Sequence, residues 1–348
     1  MKKIKIGNKW VGNGEPCFIV FEPAATYSDI EGAKKMIKAA SMANADAVKF
    51  QTFITEDSDR IMGKKDIKVD FGTPSGKKQE LVYDALKRRE LSKGEWKELV
   101  EYSRENNLLF ITAPYFPETV DFVSELGVDA IKVSKGDINN VLLIDKIART
   151  NLPVILDARE KLDEIENDIK ICELLGNNNI IIMHCPSGYP AENAGIHLKA
   201  ITALSEKYQF PIGFADHSPG GKMNYAAVAL GASMLEKTIT LNKATEHVEH
   251  FMSLELEELT DFIKNIRTIE EAMGDPNILK KSRVEENARR SFISKKNIKK
   301  GSKITIDYLD YCRPGNAGIS VAKGFDVLNK KAKVEIPKGT FLQWDMLE

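Results

Sequence analysis

Ionisable side chains recur at one kind of position in this chain, the last residues of short apolar runs. FIVFE ends in Glu22, AVKFQ carries Lys49 and Gln51, and the next run reaches Thr112. Lys132 is followed by Lys135 and Asp137, Asp157 by Arg159, and IIIMH ends in His184. The last two runs close on Asp216 with His217 and on Glu236 with Lys237. Buried charges are costly unless they converge on a ligand, a metal or one another, so such a series marks a site. Lys49 and Lys132 suit a carboxylate or phosphate as point charges, and Arg159 offers a bidentate fork. Glu22, Asp216 and His217 have the donor chemistry for a divalent metal such as Mg2+ or Mn2+. His247 and His250 lie beyond the last run, where they either close over the site or stand as loop histidines, and His184 reads as a packed strand-end residue. Lys49, Lys132, Lys135 and Lys237 open a different chemistry, a Schiff base formed by a lysine whose pKa is depressed.

The apolar runs themselves, and the segments between them, are the elements that must hold these groups. Eight strands are predicted, at Cys17–Glu22, Asp46–Gln51, Leu108–Ala113, Asp129–Ser134, Pro153–Asp157, Asn179–His184, Pro211–Ala215 and Ala232–Lys237. Their near-continuous apolar character fits a parallel sheet covered on both faces. Helix-length amphipathic segments, such as Asp29–Ala43, Lys93–Asn106 and Pro117–Leu126, separate them. Eight such βα units imply a (β/α)8 barrel, whose strand C-termini form the mouth where chemistry is done. A doubly wound open sheet fits less well, because no Gly-rich phosphate loop follows the first strand. Between Phe53 and about Arg89 lies an insertion too long for a simple connection, on the mouth side.

The barrel is predicted over residues 1–274, a basic polar linker over 275–287 and a small β-rich module over 288–348. The module repeats a strand, an Ile-(Lys/Pro)-Lys-Gly turn and a return strand, at Ile298–Gly301 and Ile336–Gly339. With 348 residues, 43% of them hydrophobic, and a net charge of -1, the chain supports a large core and shows no polyanion-binding signature, so no nucleic-acid partner is expected. The N-terminal segment lacks the apolar stretch of a signal peptide, and no run is long enough to span a bilayer. The four cysteines have no CxxC spacing, as expected of reduced thiols in a cytoplasmic protein.

Several segments, in order, carry a family resemblance: KFQT (Lys49–Thr52), KVSKGDINN (Lys132–Asn140), HCPSGYP (His184–Pro190), GFADH (Gly213–His217), GASMLEKTITL (Gly231–Leu241) and HFMSLE (His250–Glu255), then ARRS (Ala288–Ser291) and RPGNAGIS (Arg313–Ser320). Together they resemble the sialic acid synthase family, which includes N-acetylneuraminate, legionaminic acid and pseudaminic acid synthases. The resemblance implies a barrel followed by an antifreeze-like (SAF) domain. It also implies a homodimer in which the SAF domain of one subunit delivers Arg313 to the barrel mouth of the other. The implied reaction condenses phosphoenolpyruvate with an N-acylated amino sugar, using Mn2+ or Mg2+. The implied catalytic residues are Glu22, Lys49, Lys132 and Asp137. Substrate-binding residues are Gln51, Thr112, Lys135, Asp157, Arg159, Tyr189, Asp216, Lys237, Glu249 and Arg313. His217 and Glu22 are the implied metal ligands.

The departures from the family pattern fall inside the site. Glu22 is followed by PAATYSD in place of an Asn-His-Asn-Gly segment, and Thr238 stands where a second metal histidine is usual, leaving His247 or His250 as replacement ligands. Small residues that hold the phosphate are replaced by Lys135, Asp157, Ala215, Gly188 and Ala113. The expectation is therefore a nonulosonic acid synthase with a divergent site. The alternatives are a paralogue with lysine Schiff-base aldolase or lyase chemistry on a sugar acid, and a non-catalytic sugar-acid binding protein.

Overall fold

Strand-forming apolar segments and their helices close into a barrel. The computed structural model describes residues 2–274, 288–313 and 317–348, and the expected linker lies outside the described residues. The strands, numbered in chain order, are β1 (Ile4–Ile6), β2 (Lys9–Val11), β3 (Phe18–Glu22), β4 (Ala47–Thr52), β5 (Lys68–Thr73), β6 (Gly76–Leu81), β7 (Leu109–Pro114) and β8 (Ala130–Val133). They continue with β9 (Val154–Ala158), β10 (Ile180–His184), β11 (Ile212–Asp216), β12 (Met234–Thr240), β13 (Leu254–Glu255), β14 (Ser291–Ser294) and β15 (Leu309–Cys312). The order β3, β4, β7, β8, β9, β10, β11, β12 is parallel throughout, and β12 pairs back onto β3, with Thr238 opposite Glu22. These match the eight strands read from the sequence to within one residue at each end, except that β12 starts at Met234 and runs on to Thr240.

At least one helix follows each barrel strand, from Ile30–Met42 after β3 to Leu259–Met273 after β12, and the insertion after β4 adds the short helices Asp57–Ile61 and Val82–Lys87. Local sequence starts several of them. Asp29 accepts the Gly32 N–H at 2.7 Å, Ser92 and Glu95 form a reciprocal capping box, and Pro117 opens Pro117–Glu125. Their apolar faces pack on the outer strand residues, among them Phe21, Phe50, Phe110, Leu156 and Phe214. The barrel interior is a second core. Val20, Ala47, Ile111, Ala130, Ile155, Ile181 and Met234 fill it, and Ile4, Ile6 and Val11 of the β1–β2 hairpin join it. At Gly213 a Cβ would lie 2.2 Å from Met183 Sδ and 2.8 Å from the Met234 carbonyl, so only glycine fits this interior layer.

Two hairpins have no counterpart in the expected strands. β1–β2 is too short to show a period, and β5–β6 (KVDFGT and GKKQEL) is too polar to read as an apolar run. The second hairpin belongs to the insertion and is tied down on both sides. Gly72 N–H donates to Tyr189 O at 2.7 Å, and Val248 N–H donates to Glu80 Oε1 at 2.7 Å.

The chain divides into two compact units, Met1–Gly274 and Asp275–Glu348. The second is built on β14 antiparallel to β15, with Ile298 bridged to Ile336. The two Ile-(Lys/Pro)-Lys-Gly turns therefore pair with each other. Their glycines, Gly301 and Gly339, sit at φ near +80°, which side chains disfavour. Ile298, Ile304, Ile319, Val327, Ala332, Ile336, Leu342 and Leu347 form its core.

Candidate active site

Side-chain alternation turns the apolar interior into a charged mouth. Two residues beyond the last interior apolar position, β3 presents Glu22, β4 Lys49, β8 Lys132, β9 Asp157 and β12 Glu236. All five are buried. They line a cavity of about 310 Å3 with Gln51, Arg89, Tyr115, Lys135, Arg159, Tyr189, His217 and Glu249.

These charges form one chain of ion pairs. Lys49 Nζ donates to Glu22 Oε1 and lies 3.6 Å from Glu236 Oε1. Lys132 Nζ donates to the same Glu236 oxygen at 2.6 Å and stands 3.0 Å from Asp157 Oδ1. Its hydrogen bond is aimed at Glu236, because Asp157 Oδ1 has no hydrogen-bond partner. Arg159 closes the series, donating from Nη2 to Asp157 Oδ2 at 3.1 Å. Three acidic side chains thus alternate with three cations, and Glu236 Oε2 and Arg159 Nε remain buried without hydrogen-bond partners among the described residues. Neighbouring polar atoms left unsatisfied in a cavity are groups that await a ligand.

The electrostatics follow from this order. Burial pushes the Glu22 carboxyl up to about 8, against the pull of Lys49 and with the help of Glu236. Burial also opposes ionisation of Glu236 and Asp157, but Lys132, with Lys49 at Glu236 and Arg159 at Asp157, outweighs it and holds both below the usual carboxylate range. Burial likewise disfavours the charged form of Lys132, yet Asp157 and Glu236 raise it well above the ordinary lysine value. Lys49 is raised by Glu22 and Glu236 in the same way. His217 is pushed down to about 3 by burial, then by Arg159 and Lys132, so its imidazole is neutral.

Glu22, Lys49, Gln51, Lys132, Lys135, Asp157, Arg159, Tyr189, His217 and Glu249 come together around the cavity. Other expected site residues do not. Thr112 points outward, with its hydroxyl on Thr52 and the Phe50 carbonyl. Asp216 and Lys237 also face the helix layer, paired at 2.8 Å, with Asn224 and Ser218 completing the cluster. All three sit one residue out of phase with the interior positions, so strand alternation sends them to the other face. Asp137 occupies the short turn after β8, accepts from Asn140 at 2.8 Å and lines a neighbouring crevice. His247 is held at 2.9 Å by Glu80, and the buried His250 at 2.7 Å by the Thr240 hydroxyl. Arg313 is an exposed residue of the second unit.

Sequence reasoning misses Arg89 and Tyr115, and it gives Glu236 only as a strand-end charge with no role. The phase of β12 identifies Glu236, since it is two residues from the interior Met234. Nothing in the local pattern marks Arg89, which lies in the insertion.

The implied divalent metal does not fit the residues present. Glu22 is engaged by Lys49, Thr238 supplies only a hydroxyl, and His247 and His250 are held elsewhere. Among the described residues no three His, Cys, Asp or Glu side chains are grouped to hold a metal ion.

A (β/α)8 barrel with a polar mouth and a separate small β-domain defines the class. The sequence profile of the NeuB family matches residues 36–277 and that of the SAF domain residues 289–348; the chain belongs to the NeuB family. An N,N'-diacetyllegionaminic acid synthase of Campylobacter jejuni is 34% identical over 87% of this chain and 92% of its own length. An uncharacterised Methanocaldococcus jannaschii protein is 35% identical over 100% of this chain and 99% of its own. The crystal structure of the N-acetylneuraminic acid synthetase of Leptospira borgpetersenii superposes with a TM-score of 0.72 at 29% identity, covering 82% of this chain and 95% of that one.

Proposed function

We propose that this chain is a nonulosonic acid synthase, joining phosphoenolpyruvate to an N-acylated amino sugar in a divergent site. The observation that carries this reading is the pairing of Lys49 and Lys132 across Glu236, beside Glu22, in one cavity of a chain that aligns over 87% of its length with a legionaminic acid synthase.

The chemistry follows from the residues present. Lys132 and Arg159 hold the phosphate and carboxylate of the donor, with Asp157 giving way to them. C3 of the enol attacks the aldehyde carbon of the open-chain sugar. Glu22, whose carboxyl burial holds above the usual carboxylate range, is the proton donor to the carbonyl oxygen as the new bond forms. Water then adds at C2, its proton passes to the Glu22 carboxylate, and the tetrahedral centre expels phosphate. Ala25, Val69, Val82, Ala85 and Val248 give the cavity an apolar wall suited to acyl methyl groups. The substrates fit a cytoplasmic enzyme, and no helix among the described residues is long and apolar enough to cross a membrane. A homodimer in which Arg313 of one subunit completes the mouth of the other is part of the same reading.

Schiff-base catalysis is disfavoured by the ion pairing. Lys49, Lys132 and Lys135 all meet carboxylates and are held charged, and Lys237 lies behind the barrel wall. The test is phosphate release from phosphoenolpyruvate with a panel of N-acyl hexosamines, with and without Mn2+. Release that depends on the sugar supports synthase chemistry. Saturable sugar binding with no release under any condition overturns it in favour of a binding protein.

A further inference from the structure

Every cation of the inner series meets a carboxylate; Arg89 does not. It follows the short helix Val82–Lys87 of the insertion and is more than nine-tenths buried. Its Nε donates to the Ala85 carbonyl at 2.9 Å and its Nη1 to Gln51 Oε1 at 2.9 Å, both neutral oxygens. The guanidinium carbon lies 4.7 Å from the centre of the Phe53 ring, which fixes its plane. Among the described residues it makes no ion pair. Nearby acids in the insertion are committed elsewhere: Glu90 is held by Ser58 and Lys87, and Glu80 by Arg88, His247 and the Val248 amide.

A guanidinium held out of water without a counter-ion costs several kcal/mol, and a site that retains one is organised for an anion. Arg89 lines the cavity on the side of Gln51 and Tyr115. Gln51 Oε1 accepts from both Arg89 and the Tyr115 hydroxyl, the latter at 3.1 Å, and Gln51 Nε2 lies 3.5 Å from Glu22 Oε1. One glutamine therefore separates Arg89 from the carboxyl that protonates the aldehyde. Lys132 and Arg159, which take the donor, come from β8 and from the residue just after β9. The Arg89 end, bordered by Val82 and Ala85, is left for the acceptor.

We propose that Arg89 captures an anionic group, a phosphate ester or a carboxylate, on the acceptor sugar. This deepens the synthase reading and rests on it for the identity of the acceptor. The substrate class is then an acidic N-acylated amino sugar, with Arg89 and the Tyr115 hydroxyl as donors to its charged end.

Calorimetric titration without turnover tests this. The probes are a neutral N-acetylhexosamine, its terminal phosphate ester, the corresponding uronate, and phosphoenolpyruvate. At least one acidic sugar should bind wild type about tenfold or more tighter than the neutral sugar, which corresponds to about 1.4 kcal/mol. Arg89→Gln should abolish that preference and change phosphoenolpyruvate affinity less than about twofold. The ester and uronate arms separate phosphate from carboxylate as the anion. Equal binding of neutral and acidic sugars by wild type overturns the proposal, whether or not the variant folds. Loss of phosphoenolpyruvate affinity in folded Arg89→Gln also overturns it, by assigning Arg89 to the donor. Arg89-dependent binding of an acidic sugar without phosphate release keeps the anion site and removes the synthase reaction. Phosphate release with equal KM for neutral and acidic sugars does the reverse.

Discussion

Asp157 is the residue through which stability and donor binding should trade against each other. It is 1% exposed and meets Lys132 at 3.0 Å and Arg159 at 3.1 Å. At an effective dielectric of about 20, each contact is worth about 5 kcal/mol before desolvation is subtracted. Removing one partner of such a buried set leaves the others uncompensated, and the typical net loss is about 3–5 kcal/mol. Asp157→Asn should therefore lower the unfolding free energy in urea by about that amount in ligand-free protein. The same change frees Lys132 and Arg159 for an anion. Phosphoenolpyruvate should then bind the variant about tenfold or more tighter, and saturating ligand should recover much of the lost stability by mass action. Asp157→Asn/Arg159→Met should be more stable than the single variant, because Arg159 is the cation that loses its carboxylate, whereas Lys132 keeps Glu236. The reasoning is refuted if the single variant unfolds at the wild-type urea concentration, or if it is folded and binds phosphoenolpyruvate more weakly.

Three further outcomes are expected. Lys237→Met strands Asp216 behind the barrel wall and should cost about 3–5 kcal/mol in urea unfolding, with Asp216→Asn restoring part of it in the double variant. Burial pushes the Asp168 carboxyl up to about 6, against the Asn139 N–H that donates to it. Its folded pKa thus lies above its unfolded value near 3.8, so its contribution is fully present below pH 3.8 and fades as pH rises through 6. Asp168→Asn should consequently gain on wild type by up to about 3 kcal/mol between pH 4 and 7 in paired denaturation curves, with the gap closing at the acid end. If the proposed swapped dimer forms, mixing inactive Glu22→Gln and Arg313→Ala chains should restore about a quarter of wild-type turnover, and no recovery after subunit exchange would remove the trans role of Arg313.

The barrel is legible in the sequence because its strands are buried on both faces and its helices on one, and those two patterns differ in period. The charged ends of β3, β4, β8 and β9 are legible for a related reason: a carboxylate or lysine closing an apolar run is buried at a cost that only a partner or a ligand offsets. The repeated glycine turns of the second unit are also visible, since φ near +80° selects glycine locally. What the sequence by itself does not resolve is direction. Glu236 and Lys237 are adjacent and both charged, yet one faces the cavity and the other the helix layer, and only the closed barrel fixes which face is which. Thr112 and Asp216 lie outside the site on the same one-residue phase, and His247 and His250 are claimed by Glu80 and Thr240, partners far or folded back along the chain. Arg89 shows the limit most plainly. Its meaning lies in having no counter-ion among the described residues, which is a property of everything packed around a side chain and is written in no local pattern.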